Sequence, residues 1–145
     1  MPPYNDIYIV TTDRSEACID KFLSKYADIT NAIVRTDFEV YDGDTYVETG
    51  TLADTIAYGL AEKQRNFVVY FDSAVSELKS VMLFFTPDEK LVLGLSTEYN
   101  ENSDKESERV LAILKTDFNV TLGIISLETH PGDAYEWITK NLERL

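Results

Sequence analysis

The side chains that most often carry catalysis are scarce in this chain, which has one histidine, His130, and one cysteine, Cys18. His130 lies between the last predicted strand and the last predicted helix, with Ser126 close in sequence, where it could serve as a base. Cys18 lies in the first turns of a predicted helix, where the helix N-terminus can lower a thiol pKa. Neither has a recognisable catalytic partner, and whether the two meet depends on tertiary structure. We expect His130 to be a loop residue, Cys18 a small packing residue, and the protein not to be an enzyme.

The chain also lacks the sequence motifs of cofactor and metal sites. It has no phosphate-binding glycine loop, no G-x-S-x-G, no C-x-x-C, no H-E-x-x-H and no EF-hand spacing. Two segments, Asp42–Asp44 and Glu98–Asp104, carry oxygen ligands, but the first reads as a turn and the second as a solvated loop. The sequence therefore predicts no cofactor and no metal.

Charge sets the strongest limit on possible partners. There are 26 acidic and 13 basic residues, for a net charge of −13. Such a field repels nucleic acid and anionic membranes and attracts a basic partner. The apolar runs Phe67–Phe71 and Val81–Phe85 are too short to cross a membrane, and residues 1–6 lack signal-peptide features. We expect a cytoplasmic protein that binds neither nucleic acid nor membrane.

The hydrophobic patterning predicts one α+β domain over residues 1–145. We expect a mostly antiparallel or mixed sheet of about six or seven strands with about four packing helices. The predicted strands are 7–11, 34–41, 44–48, 67–71, 81–85, 91–95 and 120–127. Strands 34–41 and 44–48 form a first hairpin, and strands 81–85 and 91–95 form a second hairpin inside the sheet. Strand 67–71 is predicted to be buried on both faces. The predicted helices are 14–27 capped by Asp13, 51–64 capped by Thr51, one carrying Val110, Leu111 and Leu114, and 133–145. The predicted core includes Phe38, Val69, Leu83, Leu93, Ile124 and Trp137.

The first hairpin has an unusual outer face. If Asp42-Gly43 forms a two-residue turn, Tyr41 lies opposite Asp44, Glu39 opposite Tyr46, and Asp37 opposite Glu48. One side then carries apolar residues for the core. The other side, the acidic-tyrosine face, collects Asp37, Glu39, Tyr41, Asp44, Tyr46 and Glu48. Like charges directly opposite each other destabilise a sheet, and tyrosine is enriched at interface anchors. The face is either a partner-binding surface or the solvated surface of an acidic protein.

Three classes of function remain open. The favoured one is a non-enzymatic acidic protein that captures a basic protein partner, because complementary charge speeds association. In its size, acidity and tyrosine-acidic surface the chain resembles the bacterial immunity proteins that neutralise toxic nucleases, which implies a basic nuclease toxin as the partner. The alternatives are a small-molecule-binding or enzymatic domain with an inner pocket, and a polyanion mimic that inhibits a nucleic-acid-binding protein.

Overall fold

Seven antiparallel strands form one open sheet in the computed structural model, which describes residues 4–42, 45–62, 66–98, 103–127 and 130–142. The strand order is β3-β2-β4-β5-β6-β1-β7. The strands are β1 (Tyr4–Thr11), β2 (Phe38–Asp42), β3 (Thr45–Gly50), β4 (Phe67–Asp72), β5 (Leu78–Phe85), β6 (Leu91–Glu98) and β7 (Gly123–Leu127). The helices are α1 (Glu16–Tyr26), α2 (Ile29–Val34), α3 (Leu52–Ala61), α4 (Ser103–Phe118) and α5 (Pro131–Leu142). The expected α+β class is confirmed, and the second predicted hairpin, β5-β6, does lie inside the sheet.

Side-chain caps set where the first long helices begin. The predicted Asp13 cap is wrong, because α1 begins after Ser15, whose hydroxyl accepts the Cys18 N–H at 3.1 Å. The predicted Thr51 cap is confirmed: its hydroxyl accepts the Asp54 N–H at 3.2 Å, and α3 follows directly. Both helices then present an apolar stripe to the sheet.

The first residues of the predicted strand 34–41 are not part of a strand. Val34 is the last residue of the short helix α2, which Asp28 caps by accepting the Asn31 N–H, and β2 begins only at Phe38. Val34, which the alternation placed on the same side as Phe38, is 74 % exposed. The alternation therefore predicts the strand correctly only over 38–41, where β2 pairs with β3.

The register of the first hairpin differs from the predicted one by two residues. Asp42 belongs to β2 and pairs with Thr45, so the two residues between the strands are Gly43 and Asp44, which lie outside the described residues. The observed pairs are Glu39 with Glu48 and Tyr41 with Tyr46. A shift of two keeps each side chain on its predicted face, since the strand repeat is two.

Helices cover the two faces of the sheet unequally. On one face, α1, α3 and α4 pack over a large core that contains four of the six predicted core residues, Phe38, Val69, Leu83 and Leu93. On the other face a smaller cluster, which includes half-buried Ile124, packs against α5. Trp137 is the wrong prediction, at 56 % exposed. The buried face of α5 consists of Ala134, Tyr135 and Ile138. Trp137 projects at the edge strand β7 instead of beneath the sheet.

Candidate partner-binding face

Part of the α5 side of the sheet is open, because α5 packs on β7, β1, β6 and β5 at one end. At the other end, three tyrosines from three adjacent strands are exposed: Tyr46 on β3 at 56 %, Tyr41 on β2 at 41 % and Tyr70 on β4 at 43 %. The Tyr41 ring lies 6.4 Å from the Tyr46 ring and 6.2 Å from the Tyr70 ring, centroid to centroid. We call these residues the tyrosine row. The prediction that strand 67–71 is buried on both faces is wrong at Tyr70, which is exposed.

Two carboxylates flank the tyrosine row on the same face. Glu39 and Glu48 are directly opposite each other in the β2-β3 ladder. The Tyr41 hydroxyl donates to Glu39 Oε2 at 3.2 Å, and this hydrogen bond raises the pKa of Tyr41. Within the described residues no cation forms an ion pair with Glu39 or Glu48. This part of the face is therefore negative and rich in aromatic surface.

The structure brings together four of the six residues predicted for the acidic-tyrosine face: Glu39, Tyr41, Tyr46 and Glu48. Asp37 is not opposite Glu48, because it precedes β2. It is exposed and accepts a hydrogen bond from Arg35 Nε at 2.6 Å, which lowers the pKa of the Asp37 carboxyl. Asp44 lies outside the described residues. The predicted pairing of Asp37 with Glu48 is wrong because β2 begins one residue after Asp37 and Glu48 pairs with Glu39 instead. A contact between Asp37 and a partner stays a prediction.

The tyrosine row continues into a groove of about 320 Å³ that the sequence did not reveal. Tyr70 is shared by both. The groove is also lined by Tyr4, Asp6 and Tyr8, which alternate along β1, and by His130 at the entry to α5. Tyr8 lies flat on the sheet where Gly94 of the paired strand leaves room, since a Cβ there would come within 2.6 Å of the Tyr8 ring. The alternation of residues 4, 6 and 8 against the apolar residues 7 and 9 was the available signal.

A buried carboxylate forms the floor of this groove. Asp6 is 7 % exposed and accepts a hydrogen bond of 2.6 Å from the Ser96 hydroxyl. Burial, followed by the charge of Asp6, raises the pKa of both Tyr8 and Tyr70, so both phenols stay neutral. A carboxyl group thus lies at the floor of the groove, on the same face of the sheet as Glu39 and Glu48.

The two residues considered for catalysis lie on opposite faces of the sheet. Cys18 is in the larger core, and its burial raises the thiol pKa to about 11, so packing outweighs any effect of the helix N-terminus. His130 is exposed beside Phe84 of the smaller cluster, and its Nδ1 accepts the Gly132 N–H at 3.0 Å. The sheet between them rules out a Cys18–His130 pair.

The described residues also limit the class of site. They contain no group of three or more His, Cys, Asp and Glu side chains placed to hold a metal ion. None of their helices has both the length and the apolar composition of a membrane span. The chain as a whole matches no protein-family model, no curated protein and no solved structure.

Proposed function

We propose that this protein binds a basic protein partner through the tyrosine row, the carboxylates of Glu39 and Glu48, and the groove above Asp6. One observation supports the proposal most strongly: exposed aromatic rings and two carboxylates lie on β2, β3 and β4, at the end of the sheet away from α5, and the groove above Asp6 adjoins them. Tyrosine rings give large contact area at low cost in side-chain entropy, and carboxylates at an interface select cations.

The energetics of the free protein favour such a partner. Glu39 and Glu48 repel each other across the ladder, and this repulsion costs stability in the free protein. A lysine or arginine side chain of a partner, lying between the two glutamates, would offset that cost. Within the described residues neither glutamate forms an ion pair of its own.

Within this class we propose an immunity protein that neutralises a basic toxin such as a nuclease. A nuclease needs a cationic surface for its polyanionic substrate, and an acidic, aromatic face matches that surface. Blocking the toxin requires tight binding but no catalysis by the inhibitor.

The test is affinity capture from the native cell with three forms of the protein. The first is wild type, and the second is the double variant Glu39→Lys/Glu48→Lys. The third is the control Asp20→Lys/Glu108→Lys, which changes net charge equally at exposed sites on α1 and α4. We expect a basic protein to be held by wild type and control at low salt, and to be lost by the double variant.

A second step separates binding from immunity. The captured protein is expressed alone and together with each form. Growth arrest relieved by wild type, but not by the double variant, supports the immunity function. Capture of a protein that is harmless when expressed alone would leave the binding face standing and reject immunity. Equal capture by the double variant would reject the face itself.

A further inference from the structure

A second cavity, of about 480 Å³, lies on the other side of the sheet from the tyrosine row. It opens between the C-terminal end of α1, the start of β5, the end of β6 and the middle of α4. Its walls are mainly apolar and include Val75, Leu78, Val110 and Ile113. This volume and lining are typical of small-molecule sites in proteins.

One buried hydroxyl of a residue in the cavity wall, Thr97 Oγ1, has no hydrogen-bond partner within the described residues. Thr97 is 6 % exposed. Tyr26 also lines the cavity and is equally buried, but its hydroxyl has the Lys25 ammonium as a charged and hydrogen-bonding neighbour.

Buried polar side chains next to Thr97 have hydrogen-bond partners. Asn5, its partner in β1, donates its side-chain N–H to the Ser107 hydroxyl at 3.2 Å, and both residues are buried. Native proteins satisfy nearly all buried polar atoms, and an unsatisfied one is costly. An unpartnered hydroxyl that borders a cavity therefore indicates a missing hydrogen-bonding group in that cavity.

The charges at the rim indicate that this group is neutral. Lys79 lies 3.6 Å from Glu98, and Arg109 lies 2.9 Å from Glu106, nitrogen to oxygen. The cavity is lined by three cations and three carboxylates, whose formal charges sum to zero: Lys25, Lys79, Arg109, Glu77, Glu98 and Glu106. All three cations form ion pairs, the third being Lys25 with Asp117, so an anionic ligand would have to displace one of these pairs.

We propose that the cavity binds a small uncharged molecule with an apolar body and one hydroxyl or carbonyl group that hydrogen-bonds to Thr97 Oγ1. The apolar body contacts Leu78, Val110 and Ile113. This site is separate from the partner-binding face and does not depend on the function proposed for it.

The test uses two probes of equal shape, 4-methylphenol and 1,4-dimethylbenzene, which differ by a hydroxyl in place of a methyl. Each is titrated into methyl-labelled protein, and the NMR signals of Thr97, Val110 and Ile113 are followed. We expect saturable shifts with 4-methylphenol and about fivefold weaker binding of 1,4-dimethylbenzene, the size of one net hydrogen bond.

The isosteric variant Thr97→Val provides the control, because it keeps the shape and removes the hydroxyl. It should bind 4-methylphenol more weakly than 1,4-dimethylbenzene, because the phenol hydroxyl would be buried without a partner. It should also unfold at a higher temperature than wild type when empty. Absence of saturable shifts in wild type, equal binding of both probes there, or a fivefold preference that survives in Thr97→Val would each overturn the proposal. Should Thr97→Val fail to fold, the comparison of the two probes in wild type decides alone.

Discussion

Replacing Glu48 by lysine should stabilise the free protein while weakening its binding to a basic partner. Glu48 is the better member of the Glu39–Glu48 pair to change, because Glu39 also accepts the Tyr41 hydrogen bond. Glu48 is exposed on the edge strand β3, so lysine fits without repacking.

The expected gain follows from the geometry of a directly opposed pair. Two unit charges about 6 Å apart in water interact by about 0.7 kcal/mol. A Debye length of about 8 Å at physiological salt reduces this to about 0.3 kcal/mol. Glu48→Lys removes that repulsion and replaces it with an equal attraction, for a total of about 0.6 kcal/mol. In a domain of this size the midpoint of thermal unfolding should rise by about 2 °C.

Urea unfolding at low and high salt measures this gain. At 1 M salt the Debye length falls to about 3 Å, and the advantage of Glu48→Lys should shrink to about 0.2 kcal/mol. Glu48→Gln should give about half of the full gain at physiological salt, since it removes repulsion without adding attraction. The slope of free energy against urea should stay unchanged in all variants.

A double-mutant cycle assigns the effect to the pair. In a Glu39→Gln background, Glu48→Lys should lose most of its advantage. A gain that is as large in that background, or as large at 1 M salt, would refute the Glu39–Glu48 repulsion. A loss of stability on Glu48→Lys would refute the register on which the binding face is built.

Two further predictions concern the core on the helical side. A Cβ at Gly59 would lie 2.4 Å from the Phe85 ring, so Gly59→Ala should lower the free energy of unfolding by about 1–3 kcal/mol despite alanine's helix propensity. Adding Phe85→Leu to the Gly59→Ala variant should recover part of this loss. If the losses of the two substitutions simply add, the predicted clash is contradicted. With its pKa raised to about 11, native Cys18 is only about 0.1 % thiolate at pH 8, against about a quarter for a free thiol, so thiol reagents should label it mainly after unfolding. Because burial raises this pKa, the thiol's contribution to stability holds below about pH 8.5 and fades as pH rises toward 11; rapid labelling of the folded protein at pH 8 would show that Cys18 is accessible.

Sequence patterns predicted the elements whose caps and periodicity act locally. In the predicted helix 14–27 the residues at helical spacing, Ile19, Phe22, Leu23 and Tyr26, are buried, and the β5-β6 hairpin lies inside the sheet as its apolar arms indicated. Local signals also misled: alternation predicted a strand from Val34, but β2 begins only at Phe38, where pairing with β3 starts. The start of a strand is decided by its pairing partner along the chain, which the alternating segment itself does not encode.

The candidate partner-binding face was only half predictable for the same reason. Glu39, Tyr41, Tyr46 and Glu48 share a face under any even register shift, so their grouping survived the wrong turn. Tyr70 and Asp6 join them because β4 pairs with β2 and because β1 lies beyond β6. That strand order reflects the packing of the whole sheet and leaves no trace in the spacing of the residues concerned.

The place of β1 in the sheet also governs when the protein can begin to work. This strand is made before both of the strands that hold it: Tyr4 pairs with Glu98, and Asn5 pairs with Leu127. At about 5–20 residues per second a ribosome needs roughly 6–25 s to proceed from β1 to residue 127, and closing such long loops is slow in itself. Until then the nascent chain has an unfinished sheet with β1 unpaired on at least one side. A cell that needs this protein at short notice is therefore served by a standing supply of finished chains and not by new synthesis.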